Sequence, residues 1–300
     1  MSIGSIFVKH NPVTLHERYL LNLSPLADGP GFMDAAFDEY RPAERAEGGF
    51  WGTSFRIFAR ENVLKELFQN GLGRHVEAWG QGLQQDFEGY IDEMTFNLAP
   101  DKFSISLENM ANQMWMRADT NADGVVERTT TKTSAESQER FGIKDLVLSG
   151  GEIIRLATAN QAVQTFLDLK AFPRPEARIG GAKGDRPSLE IFCRGYIHTL
   201  GWRVYNSTSP TGTQSLTSQV KTIVDAVGPF VASQDRDSNT TSVTREYDAD
   251  RKALDILFDL VRLGDINFNR WLLYMVGKSA TDPVGRKLIL REAAPAEITV

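Results

Sequence analysis

An alternation of apolar and polar positions runs through much of the first half of the chain. Phe103, Ile105 and Leu107 alternate with polar residues at a period of two, which predicts a strand with one buried face. Apolar residues at helical spacing predict a short helix over residues 61–69, with Gly71 as a left-handed C-terminal cap. Further strands are predicted at residues 75–79, 87–98 and 113–118. The first half is therefore predicted to be rich in strands.

Helices and strands are mixed in the second half. Residues 158–169 are predicted to form a helix. Thr217 is a candidate N-cap for a helix that ends at residue 227, and Asp250 for a helix that ends before Gly264. Strands are predicted at residues 189–195 and 202–205, as a pair, and at residues 271–276 and 287–291. The whole pattern predicts an α+β fold that is rich in strands and has no tandem repeat.

The composition is that of an ordinary globular chain. Of its 300 residues, 41% are hydrophobic and 24% are charged, and the net charge is −6. A protein that binds nucleic acid by neutralising phosphates needs an excess of Lys and Arg, so that class is not expected. No apolar run reaches the roughly 18 residues of a membrane helix, and the N-terminus has no signal-peptide pattern. The single Cys193 excludes an intramolecular disulfide and fits folding in a reducing compartment.

One loop has the residues of both a calcium loop and a hairpin turn. Asp119, Asn121 and Asp123 place side-chain oxygens at positions one, three and five, and Gly124 stands at position six. The twelfth position is Thr130 instead of the usual Glu, and no helical pattern flanks the loop. An acidic hairpin turn at Asp123 and Gly124, followed by a return strand over residues 125–132, is therefore the prediction. A calcium site at the three oxygen-bearing residues is the alternative.

The histidines and the cysteine do not form a convincing catalytic or metal pattern. The four histidines are His10, His16, His75 and His198. None of their spacings would place two metal ligands on one helix face. Cys193 and His198 could act as nucleophile and base, but Cys193 lies inside an apolar strand, where a buried small hydrophobic residue is expected.

Two further motifs contain residues that could form a site. Residues 277–279 (Gly-Lys-Ser) follow an apolar strand as in a phosphate-binding loop, but Leu272 stands where the first glycine of that loop belongs. Asp86 and Glu88 share one face of a strand, and we predict that face to be solvated. The sequence thus predicts no catalytic residue, no metal site other than the calcium alternative, and no cofactor.

The five tryptophans lie in or beside predicted strands. They are Trp51, Trp79, Trp115, Trp202 and Trp271. Core packing or a protein interface explains them at least as well as stacking on sugars does. A carbohydrate site would require them to line one exposed groove.

Several segments together resemble the baseplate hub proteins of bacteriophage tails. In the first of these, a strand over residues 50–59 and a short helix precede a strand pair with an aromatic-x-Gly-x-Ile-x-x-Met pattern. Phe87, Gly89, Ile91 and Met94 carry that pattern. The likeness continues at residues 75–79, 106–112, 141–144, 193–202, 255–265 and 270–271. These are packing and turn positions, without a catalytic signature, and the first 50 residues lie outside the resemblance.

The resemblance implies barrel-like β domains of the tail-tube type with short helices, together with a smaller α+β domain. We expect an N-terminal segment with a first barrel-like hub domain over residues 1–135 and a second β-rich hub region over residues 136–212. An α+β C-terminal domain is expected over residues 213–300. A connector rich in Ser, Thr, Pro and Gly at residues 206–213 agrees with the second boundary.

The function implied by the resemblance is that of a structural virion protein. Such hubs form a ring, commonly a trimer, that connects the tail tube to the distal tip or spike. The expected partners are further copies of the chain, the tube or distal tail protein, and a spike or fibre. DNA would pass through the ring without specific binding, because an acidic lining repels it. The protein would be made in the host cytoplasm and located at the tail tip of the virion.

Two other functions remain as alternatives. The first is a tail-associated cell-wall hydrolase, which is disfavoured because no nucleophile elbow, metal-ligand spacing or matched catalytic pair stands out. The second is a carbohydrate-binding receptor module, which depends on the arrangement of the tryptophans.

Overall fold

The fold was analysed in a computed structural model, which describes residues 3–9, 21–25, 35–80, 85–150, 155–181, 186–207, 214–244, 247–279 and 285–294. The strands are β1 Ile3–Lys9, β2 Leu21–Pro25, β3 Ala35–Arg45, β4 Gly48–Phe58, β5 His75–Gly80, β6 Gln85–Leu98, β7 Asp101–Ser106, β8 Gln113–Ala118, β9 Glu127–Arg128, β10 Lys132–Thr133, β11 Asp145–Ser149, β12 Glu176–Arg178, β13 Ser188–Gly195, β14 Val204–Ser207, β15 Gln214–Ser215, β16 Ser233–Arg236, β17 Ser242–Val243, β18 Tyr247–Lys252, β19 Trp271–Val276 and β20 Lys287–Glu292. The helices are α1 Glu61–Asn70, α2 Ala135–Phe141, α3 Leu156–Lys170, α4 Leu216–Val227 and α5 Ala253–Val261, and a 3-10 helix covers Tyr196–Trp202. The strand-rich α+β fold predicted from the sequence is thereby confirmed.

Part of the main sheet closes on itself. Within the described residues, 12 strands pair into one sheet. β13 pairs with β4 along one edge and with β6 along the other. From β6 the pairing passes through β5, β1, β2 and β3 and returns to β4. This circuit gives a barrel-like body in which each of these strands has a partner on both sides.

The sheet also continues beyond the circuit. β7 and β12 extend it from β6, and β19, β20 and β16 extend it from β4. Strands from all three predicted segments therefore belong to the same sheet. The domain boundaries near residues 135 and 212 stay a prediction.

A layer of aromatic residues joins the barrel to the C-terminal part of the chain. Tyr90 of β6 lies against Tyr196 and Trp202 of the 3-10 helix, with ring centroids 5.7 and 5.1 Å apart. Phe230, which follows α4, stacks on Tyr196 at 5.6 Å. These buried rings belong to one continuous core that also includes α1, α4 and α5. Each large apolar side chain buried in this way contributes about 1.5–3 kcal/mol.

A smaller core lies between β8, β11 and α3. Met114 and Met116 of β8 pack there with Val163 and Leu167 of α3. β11 pairs in parallel with β8, and α3, which follows β11 in the chain, packs against β8 and covers one face of this small sheet.

Two predicted helix caps are wrong. α4 is capped by Ser215, whose hydroxyl accepts the Ser218 N–H at 3.2 Å. Thr217 instead lies in the first turn, where its hydroxyl donates to the Asp237 carbonyl. Asp250 belongs to β18, and Lys252 precedes α5 without a side-chain cap. In both helices, pairing with a neighbouring strand decides where the helix begins.

Other local predictions also need correction. Gly71 has a right-handed φ of −81°, and the left-handed glycine after α1 is Gly73 at +78°. Phe103 and Ile105 of β7 pack against the main core and the following Leu107 is fully buried, as the alternation predicts, but every residue of the strand itself is only half-buried. The strand at residues 204–207 pairs with β18 and not with β13, since the 3-10 helix turns the chain away.

The predicted hairpin after residue 118 forms, but its return strand is interrupted. β8 pairs with β9 only through Arg117 and Ala118, opposite Arg128 and Glu127. The chain between them is loop. The predicted return strand is interrupted rather than continuous, because β9 and β10 both pair antiparallel with β8 and residues 129–131 between them belong to neither strand.

Candidate functional site

A buried cluster of charged side chains lies where β5 and β6 face the C-terminal part of the chain. Glu77 of β5 stands directly opposite Glu88 of β6, and His75 stands opposite Tyr90. Val76 and Ala78 point to the other side of the sheet, as the two-residue period of a strand requires. Glu77 and Glu88 are only 2% and 3% exposed. The predicted solvated face at Glu88 is therefore wrong, because the C-terminal part of the chain covers it.

Glu77 is fully engaged by positively charged and N–H groups. Lys278 Nζ lies 2.6 Å from its Oε1, and Lys9 Nζ lies 2.6 Å from its Oε2. His75 Nε2 is 2.9 Å from Oε1, and Trp79 Nε1 donates to Oε2 at 3.3 Å. Burial alone would raise the pKa of Glu77, but the hydrogen bonds from His75, Lys278 and Lys9 outweigh it and hold that pKa well below its usual value.

His75 is held as a neutral ring between two partners. Its Nδ1 is 2.8 Å from the Tyr196 hydroxyl. The arrangement in which Nε2–H donates to Glu77 and Nδ1 accepts from the hydroxyl satisfies both nitrogens. Burial lowers the pKa of His75, and the nearby Lys278 and Lys9 add to that effect.

Glu88 is the unsatisfied member of the cluster. No side chain among the described residues hydrogen-bonds its carboxylate oxygens, and the backbone N–H of Arg286 offsets little of the effect of burial. The nearest cation is Arg286, whose Nε is 3.9 Å away. Burial, together with the negative charge of Glu77, raises the pKa of Glu88 to about 7. Its charge therefore changes near neutral pH.

A metal ion is a poor fit to this cluster. The ligand atoms of His75, Glu77 and Glu88 all lie within 4.8 Å of one another, a donor set that zinc accepts. However, each oxygen of Glu77 already carries a lysine ammonium group, and Arg286 stands beside Glu88. A divalent cation would have to displace these cations or lie beside them. The arrangement is better suited to tying β1, β5 and β6 to the segments that carry Lys278 and Arg286.

The three calcium-ligand candidates turn toward their own loop. The Asp119 carboxylate accepts the backbone N–H groups of Gly124 at 2.8 Å and of Asn121 and Asp123 at 3.3 Å. These bonds, that of Gly124 first, lower the pKa of Asp119. The Asn121 amide donates to Glu127 at 3.1 Å. The side chains thus stabilise the turn, and calcium binding stays the alternative to it.

The structure separates the roles of Cys193 and His198. Cys193 is completely buried in β13, and burial raises the pKa of its thiol. His198 lies in the 3-10 helix, where its Nε2 is 3.0 Å from the Trp51 carbonyl and its ring contacts the Trp51 indole edge-on. Burial lowers the pKa of His198 to about 4. This geometry provides no activated thiolate.

The other predicted site residues have structural contacts. In the 277–279 segment, the Lys278 ammonium binds Glu77 and its N–H donates to Gln85, so this lysine is not directed at a phosphate site. Trp115, Trp202 and Trp271 are buried, and Trp51 lies under the Arg45 guanidinium. His10 and His16 lie outside the described residues.

The sequence contained only part of the signal for the charged cluster. The His-x-Glu spacing at residues 75 and 77 places both side chains on one face of a strand, and Glu88 can be placed opposite once the strands are paired. Lys9, Lys278 and Arg286 come from distant segments, and local pattern does not predict their approach. For that reason the cluster was missed.

Comparison with known proteins adds little to the interpretation of this cluster. No protein-family model matches the sequence, and no curated protein sequence matches it. A solved structure that resembles it is the 43 kDa tail protein of prophage MuSo2 from Shewanella oneidensis. The identity is 11% and the TM-score 0.27, over 71% of this chain and 53% of the other. This chain therefore spans about half the length of that tail protein, and a likeness this weak carries no argument about function.

In the described part of the chain, no helix is long and apolar enough to cross a membrane.

Proposed function

We propose that this protein is a structural component of a bacteriophage tail and, within the tail, the hub that connects the tube to the distal tip or spike. The observation that carries the proposal is the position of the residues that resemble hub proteins. They meet where the barrel closes. Gly89 of β6 stands in register with Gly195 of β13, and the Phe87, Ile91 and Met94 side chains beside it are buried.

Close backbone approach explains both glycines. A Cβ atom on Gly89 would lie 2.2 Å from the Arg194 carbonyl oxygen, and one on Gly195 would lie 1.6 Å from the Phe50 carbonyl oxygen. A side chain at either position would push β13 away from its neighbours. The residues that resemble hub proteins thus determine how closely β13 approaches β4 and β6. This favours a role in architecture over a role in chemistry.

The alternatives receive less support from the described residues. The carboxylate of Glu77 in the buried cluster is paired with two lysines, Cys193 is completely buried in β13, and His198 is hydrogen-bonded to the Trp51 carbonyl. A wall hydrolase would need a reactive group open to its substrate. The burial of three of the five tryptophans likewise disfavours a sugar-binding groove.

The long strand β3 has one edge with the features of a strand that is covered by a partner or protected by charged residues. β3 pairs with β2 only through residues 35–37, so residues 39–45 have one edge without a strand partner among the described residues. That stretch carries Pro42 and exposed charged side chains, among them Glu44 and Arg45. Proline and charge prevent uncontrolled pairing between strands. Controlled contact with a neighbouring tail protein is compatible with this edge.

The composition of purified particles tests the proposal. A hub is expected to co-purify with tails in a small, fixed number of copies relative to the tube protein, as measured by quantitative mass spectrometry. Purified protein is expected to leave cell-wall material undigested. Absence from purified tails would remove the structural role, and clear wall digestion that survives repurification would favour the hydrolase.

A further inference from the structure

A short loop after α5 presents large apolar side chains to solvent. Phe268 is 92% exposed and Ile266 is 72% exposed, and the neighbouring Leu263 is 40% exposed. We call these three residues the apolar knob. Single exposed apolar residues are common, but three within six positions of the chain make a local patch of the kind that marks an interaction site.

The loop is held rigidly in this exposed form. Asp265 Oδ1 accepts the N–H groups of Asn267 and Asn269 at 2.8 and 2.9 Å, and the Phe268 N–H donates to the Asp265 carbonyl at 3.0 Å. Phe268 has a φ of +61°, a left-handed conformation that is rare for an aromatic residue. Strain of this kind persists where the surrounding structure enforces it, often at binding sites. A pre-ordered knob also loses little conformational freedom on binding.

The same chain has a cleft of matching character. It lies between the end of α2 and the end of α4 and has a volume of about 820 Å³. Its apolar lining includes Ile143, Val224, Pro229 and Val231. The volume falls in the range of about 300–1,000 Å³ that is typical of sites that enclose a small molecule, so two side chains of the knob would fit.

Exposed charges of opposite sign lie beside the two surfaces. Arg262 and Arg270 are exposed beside the knob. Glu139 is exposed and lines the cleft together with Asp225, which is paired with Lys221, and Arg203, which is paired with Asp145. Opposite charges around an apolar contact favour the correct partner and orientation.

The knob and the cleft lie at opposite ends of α4. The segment leading into the knob is tied to the start of α4, because Asn239 binds both Thr217 and the Gly264 carbonyl. The cleft is lined by the last turn of α4 and the residues that follow it. A helix of 12 residues is about 18 Å long. One molecule therefore presents the two surfaces in different places.

We propose that the apolar knob of one molecule inserts into the α4 cleft of a second copy of this chain. The contact joins different surfaces, so it is head-to-tail and extends to a ring or a filament. It deepens the proposed hub function, on which its biological setting rests, by naming the residues that join one copy to the next.

Two variants and their mixture test the contact by sedimentation or light scattering. Phe268→Gly removes the central side chain of the knob and also relieves the left-handed strain, so the loop keeps its shape. Ala226→Arg, on the exposed side of the cleft, blocks it and repels the arginines beside the knob. The wild-type chain is expected to self-associate, and each variant is expected to weaken the association at least about thirty-fold, as loss of a central aromatic contact does.

The mixture of the two variants is the most decisive of these experiments. The Phe268→Gly chain keeps an intact cleft and the Ala226→Arg chain keeps an intact knob, so together they form one productive contact and a dimer of twice the chain mass. Phe166→Ser, at an exposed apolar position on α3, is the matched control and should behave as wild type.

Several outcomes would overturn the proposal. A wild-type chain that stays monomeric at every concentration rejects a second copy as the occupant, and association that survives in both variants rejects these two surfaces. A mixture that stays monomeric rejects the head-to-tail arrangement. None of these results decides whether the protein is a tail component, which particle composition tests separately.

Discussion

At the scale of single residues, the main feature is a pair of glutamates that face each other across two strands. Glu77 and Glu88 are directly opposite, where like charges destabilise a sheet. Lys9 and Lys278 compensate Glu77 at hydrogen-bonding distance, whereas Arg286 remains 3.9 Å from Glu88. The two carboxylates therefore differ in character, one held ionised and the other held close to its neutral form.

This difference predicts an effect of Glu88→Gln that depends on pH. The pKa of Glu88 is raised from 4.5 to about 7 in the folded chain, so the folded state binds more protons than the unfolded state between these values. Stability therefore falls as pH rises through this range, by up to about 3 kcal/mol. We expect Glu88→Gln to be about 1–3 kcal/mol more stable than wild type at pH 8 and similar to it near pH 5. Urea unfolding at both pH values measures this.

His75 provides an internal check on the same measurement. Its pKa is lowered, so the unfolded state takes up a proton first and stability falls as pH drops below about 6.5. The effects of Glu88 and His75 oppose each other in wild type, and Glu88→Gln should expose the acid-side loss that His75 causes. Glu66→Gln, at an exposed position on α1, is the control and should leave the pH profile unchanged. An identical profile for wild type and Glu88→Gln would contradict a raised pKa at Glu88.

At the scale of elements, the spacing of hydrophobic residues predicted the central part of most strands and helices. The elements that lie where the sequence placed them are the strands β5, β6, β8, β13, β19 and β20 and the helices α1, α3, α4 and α5. Their ends were predicted less well. Thr217 and Asp250 have suitable side chains for caps, but Thr217 donates to the Asp237 carbonyl and Asp250 lies within β18, and local sequence shows neither arrangement.

The approach of β13 to β4 predicts a severe effect of Gly195→Ala. The new methyl group would lie 1.6 Å from the Phe50 carbonyl oxygen, so the two strands would have to separate. We expect a loss of more than about 4 kcal/mol in the free energy of unfolding, or failure to fold. Denaturant unfolding, with yield of soluble protein as a second readout, measures the effect.

Gly201→Ala is the matched control for this experiment. The nearest atoms to its new methyl group are side-chain atoms of Leu254 at 3.6 Å, an ordinary contact distance. A change within about 1 kcal/mol is expected for this variant. If Gly195→Ala were as stable as Gly201→Ala, the close crossing of β13 and β4 would be wrong.

At the scale of the whole molecule, the closure of the barrel could not be predicted from local sequence patterns. Arg194 of β13 pairs with Gly52 on one side and with Tyr90 on the other, and these residues are far apart in the chain. The same holds for the charged cluster, which Lys9, Lys278 and Arg286 complete from distant segments. The resemblance to hub proteins predicts a barrel-like sheet, and the closed circuit of paired strands agrees with that prediction.

A cryo-electron microscopy map of the distal end of the intact tail tests the central claim most directly. The account predicts that the barrel formed by β1–β6 and β13 fits density in a ring around the tail axis, in contact with the last ring of the tube. Density for this chain only at the periphery of the particle, as a separate receptor-binding module, or nowhere on the tail, would contradict it.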